Sequence, residues 1–174
     1  VKDIQKQIKY PFACKDELGR LRVGAALGIA KDTLERAAAL VDARVDLLVV
    51  DTAHGHSEGV LQMIGALREK YPEIQLVGGN VATAAGAKAL IQRGVDAVRA
   101  DVKLGDRVSL DTVAAFADTL GGSAFATRLR GYAGKADVEI LGGSRARDLF
   151  AGLTSSAAVG NVELHGELAW FHTP

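Results

Sequence analysis

At 174 residues the chain can bury one good hydrophobic core, but it is short of the roughly 250 residues that a complete (β/α)8 barrel usually takes. Its 21 basic and 21 acidic residues balance, so no electrostatic footprint marks a nucleic-acid or anionic-membrane partner. A single cysteine excludes an intrachain disulfide framework and fits a reducing cytoplasm, and no signal-like or spanning apolar run occurs, which predicts a soluble chain without a membrane partner.

The first hundred residues alternate strand and helix signals at short intervals. Residues 21–27 read as a strand. Residues 32–43 read as a helix, with Asp32 placed as N-cap and Glu35 three residues on. A strand follows at 45–50, then a helix at 59–70 that stops before Pro72. Next come a strand at 74–78, a helix at 83–93 with Gly94 as its stop, and a strand at 95–100. This order predicts βα units and a mainly parallel sheet. An internal repeat supports it: Ala39-Leu40-Val41 with Val45-Asp46 and Asp51 recurs 50 residues later as Ala89-Leu90-Ile91 with Val95-Asp96 and Asp101.

Beyond Asp101 the pattern changes. Residues 110–120 read as an amphipathic helix and 121–123 as a break. Residues 124–132 read as a second helix, 137–141 as a strand and 145–153 as a third helix. Residues 161–170 read as a closing edge strand with Val162, Leu164, Leu168 and Trp170 on one face.

The apolar run Leu47 to Val50 ends abruptly in Asp51-Thr52-Ala53-His54-Gly55-His56-Ser57. A buried parallel strand delivers polar groups in this way to the carboxyl edge of its sheet, where α/β proteins bind ligands. Together with Tyr10-Pro11-Phe12-Ala13-Cys14-Lys15-Asp16, Leu21-Arg22-Val23-Gly24-Ala25-Ala26 and Gly79-Asn80-Val81-Ala82-Thr83, the run resembles the barrel of the inosine-monophosphate dehydrogenases, from about Lys2 to Ala100. The resemblance implies that Asp51 holds a ribose of NAD, that Thr52 and His54 lie by the dinucleotide, and that Asn80 lies near the reacting nucleotide. It also implies a Gly-Pro-Gly-Ser loop and a nucleophilic cysteine after the next strand. Here that place reads Val98-Arg99-Ala100-Asp101-Val102-Lys103-Leu104-Gly105-Asp106, and Cys14 matches a non-catalytic position. Thiolate attack on the purine is the step that chemistry needs, so the expectation is binding without turnover.

Three further groups bear chemistry. His54, His56 and Glu58 form His-x-His-x-Glu on one loop, but without a distant third ligand the pattern favours a solvated or dinucleotide-contact loop over a metal. Asp101, Lys103 and Asp106 form Asp-x-Lys-x-x-Asp, similar to the charged array of the orotidine-monophosphate decarboxylase superfamily, whose acids and lysine act on phosphorylated substrates. A solvated charged turn explains the same residues. Gly142, Gly143 and Ser144 follow the strand at 137–141 and precede the helix at 145–153. A βα loop of that kind holds phosphate on backbone N–H groups, as in triosephosphate isomerase, and an ordinary turn with Ser144 as N-cap fits equally.

The expected fold is therefore one α/β domain over 1–174, a partial or rearranged (β/α)8 barrel. Residues 1–100 would be dehydrogenase-like βα units, and 101–174 would come from another parent, making the chain a chimera. Three functions compete: a fragment that keeps part of an NAD or nucleotide site, a scaffold with no selected activity, and a small enzyme acting on a phosphorylated substrate. A partial barrel leaves sheet edges open, which predicts a homodimer through those edges.

Overall fold

The computed structural model describes residues 9–10, 13–116, 122–160 and 162–173. A single sheet of nine strands runs through it in sequence order. The first part consists of β1 (Gly24–Leu27), α1 (Thr33–Asp42), β2 (Leu47–Asp51), α2 (Glu58–Lys70), β3 (Gln75–Val81), α3 (Ala84–Gln92) and β4 (Ala97–Lys103). Strands β1 to β4 pair in parallel. From β4 onward every pairing is antiparallel, through β5 (Val108–Ala115), β6 (Ala124–Ala133), β7 (Ala136–Arg145), β8 (Asp148–Val159) and β9 (Val162–His172).

The βα half forms as its sequence dictates. The apolar runs of β2 and β3 bury Leu48, Val50 and Leu76 completely against Ile64 and Leu67 of α2 and Leu90 of α3. Gly78 faces the same helices, since a Cβ there would lie 3.2 Å from Ile64 and 3.4 Å from Leu90. Thr83 caps α3, its hydroxyl accepting the Gly86 N–H at 3.1 Å. Gly94 ends the helix at a φ of 93°, a conformation that glycine adopts at no steric cost. Asp32 occupies the N-cap position of α1 without a side-chain cap bond.

The repeat has a structural cause. Asp46 accepts the Val23 N–H at 2.7 Å and Asp96 accepts the Leu76 N–H at 2.7 Å. Each aspartate also donates its own N–H back, to the Val23 and Leu76 carbonyls respectively. The recurring aspartate thus ties the entry of one strand to the entry of its neighbour.

The second half departs from expectation. Residues 110–115, 124–132 and 148–153, expected to be helical, are strand, and Ala146-Arg147 is a tight turn between β7 and β8 with Ala146 at a φ of 55°. Residues 117–120 of the first expected helix lie outside the described residues. The strands expected at 137–141 and 161–170 correspond to β7 and β9. The sheet is mixed, not mainly parallel, and among the described residues β9 does not pair with β1 and no closed barrel is seen. Among the described residues, every member of the buried hydrophobic core lies between Leu27 and Val98. Among the described residues, strands β5 to β9 form a single layer without a helix over either face.

Candidate functional site

The carboxyl ends of β2, β3 and β4 meet at one cavity of about 250 Å3, lined by His54, His56, Asn80, Thr83 and Asp101 among others. Two close approaches build it. Gly55 carries the β2–α2 loop against the end of β3, its N–H donating to the Asn80 carbonyl at 2.8 Å, and a Cβ there would sit 2.8 Å from that oxygen. Gly79 passes equally close to β4, where a Cβ would lie 2.7 Å from the Arg99 carbonyl. Larger residues at either position would push the strand ends apart.

Thr52 locks the loop to the strand. Its N–H donates to the Gly79 carbonyl at 2.8 Å, its hydroxyl donates to the same oxygen at 3.3 Å, and its carbonyl accepts the Asn80 N–H at 2.7 Å. Thr52 therefore acts here as a structural tie and does not line the cavity. Asn80 is different: its Oδ1 is buried and has no hydrogen-bond partner among the described residues. A buried acceptor left unpaired costs free energy that a donor from a ligand recovers.

Asp51 is exposed at the end of β2, opposite Gly79. It lies within electrostatic reach of Arg99, which sequence reasoning missed. The Arg99 guanidinium grips Asp111 through two hydrogen bonds, at 3.0 and 3.1 Å, and approaches Asp101 at 3.9 Å. Its pKa is raised above the ordinary arginine value, first by the hydrogen bonds to Asp111 and then by the charges of Asp111, Asp51 and Asp101. The same contacts, joined by Arg128 at 3.0 Å, hold the Asp111 carboxyl below the usual carboxylate range. Asp101, two residues on and so on the same face of β4, was the one nearby signal in the sequence.

The three members of Asp-x-Lys-x-x-Asp part company. Asp101 faces the cavity with the histidines, whereas Lys103 and Asp106 line a separate cavity of about 300 Å3 at the β4–β5 hairpin with Arg107, Ser109 and Tyr132. Gly142, Gly143 and Ser144 stand inside β7, paired with both neighbouring strands, so the helix N-terminus required for a phosphate loop is not present there. Gly143 is needed for packing instead, since a Cβ would collide with the Phe125 carbonyl of β6 and come within 2.6 Å of the Phe150 ring. Among the described residues no group of three or more histidine, cysteine or acidic side chains could hold a metal ion. Cys14 is exposed, ahead of β1.

The sequence profile described as "IMP dehydrogenase / GMP reductase domain" matches residues 1–117. The chain is 60% identical over 102 residues to the inosine-5'-monophosphate dehydrogenase of Aquifex aeolicus, an overlap of 59% of this chain and 21% of that protein. The Escherichia coli K12 enzyme of the same name is 59% identical over 102 residues, with the same coverage. That of Staphylococcus saprophyticus is 52% identical over 114 residues, 66% of this chain and 23% of that protein. The chain thus spans less than a quarter of the length of these relatives.

Proposed function

We propose, on the premise that the chain belongs to the IMP dehydrogenase / GMP reductase family through residues 1–117, that the carboxyl ends of β2 to β4 keep a nucleotide- or NAD-binding remnant that does not turn over. The observation that carries this reading is the cavity that gathers His54, His56, Asn80 and Thr83, with the buried Oδ1 of Asn80 at its wall lacking a hydrogen-bond partner among the described residues. A ribose hydroxyl or a base N–H is the donor that such an acceptor suits. His54 and Asn80 make contacts from the cavity, Asp51 reaches the ligand from the exposed end of β2 outside the cavity lining, and Thr52 holds the loop between them. NAD is the cofactor that this reading implies.

The absence of turnover follows from chemistry. Nucleophilic attack on a purine needs an activated thiolate, and the sequence has one cysteine, Cys14. Where the resemblance implies the cysteine loop, β4 runs on instead into an antiparallel hairpin with β5. A phosphorylated-substrate enzyme built on Asp101, Lys103 and Asp106 is less well supported, because these residues line two cavities.

Calorimetric titration of the protein with NAD and with inosine monophosphate, beside an Asp51→Ala control, tests the reading. Saturable binding lost in Asp51→Ala supports it. No heat with either ligand from a cooperatively folded sample refutes it and leaves the chain a scaffold without selected activity.

A further inference from the structure

Strands β5 to β9 carry charge on one face only. By register and alternation, Asp111, Arg128, Arg130, Asp137, Glu139, Arg145, Asp148, Glu163 and Glu167 all point to the same side. They are linked there by ion pairs from Arg99 through Asp111, Arg128 and Glu139 to Arg130. The other side carries no Asp, Glu, Lys or Arg on any of these strands. Its centre is a straight row, one residue per strand: Leu110, Leu129, Ile140, Leu153 and Leu168, each paired with the next. The last four are 38, 53, 43 and 68% exposed, and Trp170 beside them is 53% exposed.

Val98 of β4 pairs with Ala114, so this uncharged side is the one that helices α1 to α3 cover over β1 to β4. Beyond β4 no described helix continues that cover. An apolar face of such extent needs an occupant.

We propose that the occupant is the same face of a second copy of this chain, stacked on it as a sandwich about a two-fold axis. Three observations select it. First, a self-complementary interface sets identical patches against each other, so every unpaired charge on the face would be buried twice; this face has no Asp, Glu, Lys or Arg. Second, strands of 8, 10, 10, 12 and 11 residues side by side cover, at about 4.8 Å between strands and 3.3 Å per residue, roughly 800 Å2. Stable dimers bury about that area per partner. Third, the layers fit: a second sheet packs about 10 Å above the first, the height that the helical layer already occupies over β1 to β4. The partner's sheet therefore fills the space beside α1 to α3, and its β9 edge ends against them. Lipid hydrocarbon fits less well, because the helices project on the same side and β9 would leave an unpaired edge in the bilayer. The contact is face to face, which replaces the edge-to-edge dimer expected from an open sheet.

Sedimentation velocity over a concentration series, with fluorescence of the only tryptophan, Trp170, tests this. The expected result is a species of twice 18.2 kDa that dissociates on dilution, with Trp170 shielded from iodide in the dimer and exposed in the monomer. Leu168→Glu places two carboxylates in the contact while altering a side chain exposed in the single copy, so it should give a folded monomer by circular dichroism. Ala169→Lys, on the charged face of the same strand, should leave the dimer intact. A wild type that stays at 18.2 kDa overturns the proposal. So does a dimer indifferent to Leu168→Glu, which would indicate edge pairing. Co-flotation with phosphatidylcholine vesicles, with Trp170 quenched by brominated acyl chains, overturns it in favour of lipid.

Discussion

The repeated aspartates Asp46 and Asp96 hold equivalent positions and make the same backbone bond, yet their removal should cost different amounts. Asp96 accepts the N–H of Leu76, a completely buried residue, and also the Arg68 guanidinium at 2.6 Å. Arg68 keeps the carbonyls of Gly94, Pro72 and Ile74 whatever happens to Asp96. The Asp96→Ala change therefore strands one backbone N–H, at about 1–3 kcal/mol. It also loses a partly exposed ion pair, worth roughly 0.5 kcal/mol after screening. Among the described residues Asp46 accepts only the N–H of Val23, which is 53% exposed, so water replaces the carboxylate in Asp46→Ala. That loss should stay near 0.5–1 kcal/mol. Urea unfolding followed by helical circular dichroism reads this half alone, because every described helix lies before β4. A midpoint shift two to three times larger for Asp96→Ala is the expected result. Equal shifts would refute the claim that burial of the strand entry, and not the shared hydrogen bond, sets the cost.

Gly143→Ala should destabilise by about 3 kcal/mol or more, because the added methyl meets the Phe125 backbone carbonyl as well as the Phe150 ring, whereas Gly142→Ala, with its nearest atom 3.8 Å away, should change stability by less than about 0.5 kcal/mol. Thermal melts of the two variants decide whether these glycines serve packing within β7, and equal melts would argue against that assignment. Asp111 has a depressed pKa in the fold, first through the Arg99 hydrogen bonds and then through Arg128. Its contribution is present above the ordinary aspartate range near pH 4 and is lost as pH falls through the lower folded value. Acid titration should thus show a stability loss below about pH 4 that Asp111→Asn flattens; an unchanged acid limb would show that the network contributes nothing.

Half of the fold was legible in the sequence because two signals agreed there. In 59–70 and 83–93 the apolar period matches a helix and the ends carry a cap or stop, and α2 and α3 form within a residue of those limits. Beyond Asp101 the signals conflict. Residues 110–120 place Leu110, Val113 and Phe116 at helical spacing, but Val108, Leu110, Thr112 and Ala114 also alternate, and pairing with β4 and β6 decides for the strand. Arg128 and Arg130 flanking Leu129 were a plain period of two. Of the site, Asp51, His54 and Asn80 were marked by their place after apolar strands. Arg99 was not, because its role depends on Asp111, which reaches it only through the β4–β5 hairpin.

That hairpin also alters what the cavity can bind. Asp101 stands in it where a nucleotide phosphate or ribose would approach, and its charge is only partly offset by Arg99, which Asp111 engages more closely. A unit charge about 6 Å from a phosphate is worth roughly 0.7–2.8 kcal/mol for effective dielectric constants of about 80 to 20. Asp101→Asn should therefore tighten nucleotide binding about three- to a hundredfold at low salt, with the gain shrinking as ionic strength rises. Asp106→Asn, on the other cavity, should leave it unchanged. Calorimetry at two salt concentrations measures both. If Asp101→Asn binds no more tightly than the unaltered chain, the nucleotide does not enter this cavity, and the acid at the end of β4 belongs to the hairpin alone.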